Sequence, residues 1–166
     1  MVASRHRGTR EIGARVAATL QAAGIATDLV DAELDPDPAG YDGVVLGSGV
    51  YFGRWLPPAR HYVREHATAL AQMRLWTFSS GPVDEPRPTG TAGSIPSALV
   101  EVAPIEHVSF GGRIVTSELS TVERIVAKVV HAGTADYRDW ATITEWATHI
   151  AASLAAGGPA PRRLTA

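Results

Sequence analysis

Cysteine is absent from this 166-residue chain, which removes disulfides, thiolate zinc sites, iron–sulfur ligation and a Cys nucleophile together. Any redox chemistry must then come from a bound cofactor. Lysine is almost missing as well: Lys128 stands alone among 15 cationic residues, the rest being arginine, and this bias says nothing of mechanism. No stretch approaches the roughly 20 consecutive apolar residues of a membrane span. Met1-Val2-Ala3-Ser4-Arg5-His6-Arg7 turns polar too soon for a signal peptide. The expectations are therefore no transmembrane segment and a cytoplasmic location. Charge of one sign is also lacking. The formal net charge is −2, with acidic and basic residues interspersed, which gives neither the basic stripe that nucleic acid requires nor a polybasic anchor for anionic lipid. No His or carboxylate group has metal-ligand spacing, so no metal site is expected.

What is present is an ordinary globular composition, 45% hydrophobic and 19% charged, enough for one core and one domain. From Thr9 to Ala23 the spacing of Ile12, Val16 and Leu20 predicts a helix that stops at Gly24, with Glu11 and Arg15 paired at i,i+4. A strand is expected over Ile25 to Val30. The apolar run Gly43 to Ser48 has the look of a buried parallel strand. Pro57 and Pro58 open a second helix whose Tyr62, Val63, His66, Leu70 and Met73 share a face, and Arg74 to Ser79 is the next strand. Gly81 to Pro96 reads as a long loop of the kind that forms functional flaps. A strand over Ile105 to Ile114, a helix over Leu119 to His131 and a last helix over Tyr137 to Leu154 follow, with Asp136 and Asp139 beginning the last. The domain is expected over 1–156, and 157–166 as a disordered tail.

Strands alternating with helices in this rhythm imply an α/β fold, a doubly wound parallel sheet with right-handed crossovers. Ligands in such folds bind beyond the carboxyl ends of the strands. Three loops are thereby singled out. Ser4-Arg5-His6-Arg7-Gly8-Thr9 precedes a helix, where backbone N–H groups and the helix dipole suit a phosphate, although Ser and Thr also serve there simply as caps. Gly49-Val50-Tyr51-Phe52-Gly53-Arg54-Trp55 sets aromatics among glycines, suited to a flat heterocycle or to packing over the sheet edge. Ser79-Ser80-Gly81-Pro82 offers small residues and backbone groups for a polar ring edge. A hydrolase elbow at Ser48 is excluded, because glycine would be needed at Leu46 and Val50. Together the loops fit a phosphorylated aromatic ring system.

The segments Ala3 to Ile12, Tyr41 to Ser48, Tyr51 to Trp55, Phe78 to Pro82, Phe110 to Ile114, Arg138 to Trp140 and Ile143 to Ala147 resemble the flavodoxin-domain family, near its menaquinone-dependent protoporphyrinogen oxidases. The resemblance implies a flavodoxin-like sheet of order 2-1-3-4-5 and FMN as cofactor. By the same resemblance Ser4, Arg5, His6, Arg7, Gly8 and Thr9 hold the phosphate, Tyr51, Phe52 and Gly53 the flavin ring, and Ser79, Ser80 and Gly81 its other edge; Gly49, Val50 and Arg54, from the same loop as the ring residues, are counted with the cofactor site. The family's phosphate loop resembles Ser-Arg-His-Gly-Ser-Thr, so Arg7 stands here where glycine is usual.

Three functions are compatible with such a domain: an oxidoreductase acting on a small organic substrate or quinone, protoporphyrinogen being the precedent; a one-electron carrier; or a flavin-free relative. The near-balanced charge and Arg54 favour the first, because carrier flavodoxins resemble acidic proteins. No catalytic residue is assigned, and the oligomeric state, a homodimer included, stays open. The first strand, which lies inside the sheet in this order, is represented only by Met1-Val2-Ala3 and reads as truncated. A form extended upstream by apolar residues is expected to be more stable and to bind flavin more tightly.

Overall fold

The computed structural model describes residues 1–81, 99–114, 135–156 and 164–165. The expected loop beyond Gly81 and the expected helix over 119–131 lie outside the described residues. Within them the chain runs β1 (Val2–Ala3), α1 (Gly8–Ala22), β2 (Thr27–Asp28), 3-10 turns at Ala32–Leu34 and Pro38–Gly40, β3 (Gly43–Tyr51), β4 (Arg54–Trp55), α2 (Pro57–Glu65), α3 (Ala67–Leu70), β5 (Arg74–Gly81), β6 (Glu106–Gly111), β7 (Arg113–Ile114), β8 (Ala135–Asp136), α4 (Trp140–Ala156) and β9 (Leu164–Thr165).

The centre of the sheet is parallel. β3 is apolar or small throughout and buried over its first seven residues. It pairs with β5 from Gly43 opposite Arg74 to Gly49 opposite Ser80, and β5 pairs with β6 from Trp76 opposite Glu106 to Gly81 opposite Gly111. On its other side β3 meets two short strands laid end to end. Leu164 and Thr165 of β9 face Gly43 and Val44, and Val2 and Ala3 of β1 face Gly47 and Ser48. β9 also pairs with β2, and Val2 bridges to Asp31 just beyond β2. The fold is thus the flavodoxin-like order 2-1-3-4-5, its inner first position shared between β1 and β9.

This corrects the expectation that 157–166 is wholly disordered, because Leu164 and Thr165 are strand residues that extend the line of β1. The reason lies in the slot itself: β3 exposes donors and acceptors at Gly43 and Val44 that the short β1 cannot reach, and buried backbone groups require partners. Met1 is buried at the junction, its ammonium donating to the Val45 carbonyl at 2.7 Å. Burial pushes that amine well below its ordinary pKa, with Asp31 acting in the opposite sense.

Helices cover both faces. α1 and α4 lie on one, where Ile12, Val16, Val45, Phe78, Phe110 and Trp146 form a single cluster. α2 lies on the other, with Val44, Leu46, Trp55, Tyr62 and Leu75. Several elements are shorter than the sequence suggests. The strand expected over 25–30 keeps only two ladder residues. The helix opened by Pro57 breaks at His66, whose ring lies 4.5 Å from Tyr62 and whose Nε2 bonds Asp35. The strand expected over 105–114 divides at Gly112. Glu11 does not pair with Arg15. It reaches Arg138 and Arg113 instead, while Arg15 stacks over Trp140 at 5.3 Å. Asp139 caps α4 through Ala141 N and Thr142 N, whereas Asp136 belongs to β8 and binds Arg138.

Candidate functional site

At the carboxyl ends of β1, β3 and β5 the three predicted loops converge. The first begins at Ser4 and turns through Arg7, which adopts the left-handed region at φ 57° as the N-cap of α1. This is the conformation that a glycine would take without cost and that a residue with a side chain takes at about 1–2 kcal/mol. It explains why the resembling motif carries glycine there. No side chain caps α1, and Ser4 Oγ is buried with no hydrogen-bond partner among the described residues. An uncapped helix start beside an unpaired buried hydroxyl, in a loop with Arg5, His6 and Arg7, has the donor chemistry of an anion site.

The second loop is a tight hairpin from β3 to β4. Phe52 and Gly53 both have positive φ, 49° and 72°, the combination that a two-residue primed turn requires. Phe52 is consequently turned outward and 81% exposed. Arg54 beside it is also exposed. Tyr51 faces the first loop, with Arg5 at 5.7 Å from its ring centre and the His6 ring at 6.3 Å. A Cβ on Gly49 would come to 3.3 Å from Thr9 Oγ1, so the backbone of the second loop packs against the start of α1. Val50 is partly buried against the α2-side core and closes on the third loop, where a Cβ on Gly81 would lie 3.4 Å from Val50 Cβ.

The third loop is anchored from inside. Trp55 is core, with its indole N–H donating to Ser79 Oγ at 2.8 Å, which assigns it to packing and takes the Ser79 hydroxyl inward. Ser80 is buried as well, and Gly81 O accepts from Gly112 N at 2.8 Å. Ser48, fully buried, donates to Gly49 O and accepts from Leu56 N, pinning the hairpin to the start of α2. Ser4, Arg5, His6, Arg7, Gly8, Thr9, Gly49, Val50, Tyr51, Phe52, Gly53, Arg54, Ser79, Ser80 and Gly81 therefore cluster at one end of the sheet, with the Phe52 side chain turned out to solvent and the Ser79 hydroxyl tied inward to Trp55.

Three residues near these loops have roles that sequence reasoning did not assign. Arg113 comes in from β7, where a Cβ on Gly8 would lie 3.7 Å from Arg113 Cβ, and its guanidinium reaches Glu11 at 3.5 Å. Arg138 is buried between Glu11 and Asp136, and those two partners raise its pKa. The hydrogen bonds of Arg138 in turn hold Asp136 below the usual carboxylate range. Both arginines lie in segments that carry the family resemblance, Phe110 to Ile114 and Arg138 to Trp140, but that resemblance assigns neither a role; a Cβ on Gly111 would run into the Tyr137 backbone, so the chain entering α4 lies directly over it. The third is His107, buried on β6 and bonded to both Thr77 and Ser79.

No helix among the described residues is long and apolar enough to cross a membrane, and no group of His and carboxylate side chains among them could hold a metal ion. Neither a curated protein nor a solved structure matches the chain. A family described as the flavodoxin domain matches residues 1–140. With that match spanning most of its length and the parallel sheet arranged in the same order, the chain belongs to the flavodoxin-domain family, whose members usually bind FMN.

Proposed function

We propose that this protein is an FMN-dependent oxidoreductase acting on a small organic substrate or a quinone, with protoporphyrinogen oxidation as the family precedent, and that it works in the cytoplasm. The observation that carries the reading is Ser4 Oγ, buried without a partner at an uncapped helix start. A phosphate oxygen placed there would satisfy that hydroxyl and the first N–H groups of α1 at once. The residues present therefore fit the phosphate end of the cofactor. Tyr51, Gly49 and Val50 would take one side of the ring and the Ser80–Gly81 backbone its polar edge. FMN when bound supplies one- and two-electron redox chemistry. The chain's own part is to hold the phosphate, orient the ring and set the charge around it.

Oxidoreductase is favoured over electron carrier by the net charge of −2 and by exposed Arg54 at the hairpin, since a docking carrier needs a strongly one-signed face. Isothermal calorimetry with FMN, FAD and NAD tests the cofactor. FMN binds most tightly, because the loop has no second nucleotide crevice of the dinucleotide kind. Tighter binding of FAD, or no flavin binding, would overturn the assignment, and the flavin-free alternative would then stand.

A further inference from the structure

Below the third loop, on the α2 face of the sheet, four polar side chains form a buried chain that ties Ser79 of that loop to three residues outside the proposed flavin contacts. Trp55 Nε1 donates to Ser79 Oγ at 2.8 Å, Ser79 Oγ meets His107 Nε2 at 3.2 Å, His107 Nδ1 meets Thr77 Oγ1 at 2.8 Å, and Thr77 Oγ1 donates to the Glu106 carbonyl at 3.3 Å. All four residues are buried, and strands β5 and β6 set the spacing by holding Thr77 opposite His107.

The roles of the two His107 ring nitrogens depend on its tautomer, and one arrangement uses every proton once: Thr77 gives its hydroxyl proton to Glu106 O and accepts from His107 Nδ1–H. His107 is then the Nδ1–H tautomer and Nε2 is an acceptor, which takes the Ser79 proton. Ser79 Oγ, having donated, accepts the only proton that Trp55 offers. No donor and no acceptor role in the chain is duplicated. A cationic His107 would put a second donor against Ser79 and break the order.

We propose that His107 is a positioning residue for the cofactor loop: as a neutral Nδ1–H imidazole it fixes the Ser79 hydroxyl, through it the Trp55 ring under the hairpin, and so the set of Ser80 and Gly81 toward the flavin edge. The proposal rests on the FMN reading above. It assigns a function to a buried titratable group that makes no contact with the phosphate loop, and the sequence offers no motif for it.

A double-mutant cycle with a spectroscopic control tests it. FMN affinity is measured by flavin fluorescence for the full chain and for His107→Leu, His107→Gln, Ser79→Ala and His107→Leu/Ser79→Ala, with melting temperature recorded for each. The imidazole of the unsubstituted protein is read by 15N NMR. His107→Leu and Ser79→Ala each weaken FMN binding about tenfold, and the double variant is no weaker than either. His107→Gln, whose amide can still accept from Ser79, stays within about threefold of the unsubstituted protein, and the 15N spectrum shows the Nδ1–H tautomer. The proposal is overturned if His107→Leu lowers the melting temperature but leaves FMN affinity unchanged, if the two losses add, or if the proton resides on Nε2. Should the unsubstituted protein bind no FMN, the cofactor reading fails first and the positioning role fails with it. Should it bind FMN with His107→Leu unchanged, the positioning role alone fails. If His107→Leu does not fold, Ser79→Ala against His107→Gln and the 15N spectrum decide.

Discussion

Strand β3 has two unlike flanks. Toward β5 it is paired without interruption over seven residues, Gly43 to Gly49. Toward β2 the neighbouring position is filled by four paired residues from the two distant ends of the described chain, Val2–Ala3 and Leu164–Thr165, with a buried amine between them. A sheet can be continuous in hydrogen bonding without being continuous in covalent structure. The discontinuous flank carries a buried amine at its junction, whose charged form burial disfavours, and strands too short to hold on their own. The cofactor loop hangs from that weaker flank.

The strongest test attacks the continuous side. Phe78, fully buried, packs its ring against Phe110 and Trp146. Phe78→Ala is expected to cost about 3–5 kcal/mol in urea unfolding. A cost under about 1 kcal/mol would deny that this flank is the sheet's keystone.

The patched flank is tested by deleting residues 164–166. The expected loss is about 1–3 kcal/mol, from backbone groups of β2 and β3 left unpaired, with FMN binding weakened because Ser4 to Thr9 follow directly on β1. Adding an upstream apolar segment should help the shortened protein more than the full chain, since segment and β9 compete for one slot. Equal gains in the two backgrounds would show that β9 does not occupy it.

Acid distinguishes the flanks by the pH at which each loosens. His107, on the continuous side, is held neutral by burial, its pKa lowered to about 4 from an ordinary 6.5. Between those values the unfolded chain binds a proton that the folded chain refuses, so this contribution is whole above pH 6.5 and is lost as pH falls toward 4. The Met1 amine, lowered from 8.0 by burial, gives the same sign from a higher start, with loss beginning as pH drops below 8. Unfolding free energy measured from pH 9 to 4 should therefore fall in two stages. His107→Gln should remove the lower stage and N-terminal acetylation the upper. A profile untouched by either change would refute both assignments.

Smaller effects probe the loops. Arg7→Gly relieves a left-handed backbone and should stabilise by up to about 1 kcal/mol while weakening FMN binding through the lost charge; an unchanged or lower melting temperature would show that Arg7 is not strained. Arg54→Gln should shift the flavin midpoint potential by no more than about 30 mV, because the side chain is exposed and its field is screened. A larger shift would place Arg54 over the ring.

Much of this was legible in the sequence because it is local. The Ile12–Val16–Leu20 stripe, the apolar run of β3 and the three loops at strand ends depend on periodicity and on a topological rule, and the family likeness agrees with them. What escaped is non-local. Glu11 has its obvious partner four residues away and finds Arg138 instead, 127 positions on, because the register that brings α1 beside α4 is not written in either helix. β9 hides within a tail rich in Gly, Pro and Ala, and two residues give no alternation to detect. His107 carries no signal of its own in the sequence, since its partners become visible only once β5 and β6 are aligned. Phe52 carried a ring suited to stacking, and the primed turn, which a sequence of Tyr-Phe-Gly-Arg announces only weakly, points it outward.

Gly47 offers a way to watch the sheet assemble. Its Cα lies so near the Phe78 ring that a Cβ would enter it. The hydrogens it carries instead therefore sit within the ring's magnetic anisotropy. Their proton resonances should lie well away from ordinary glycine positions in the folded protein and return when β3 and β5 separate. A single residue without a side chain thus becomes an internal clock for strand pairing, readable without any label, during denaturant titration or refolding.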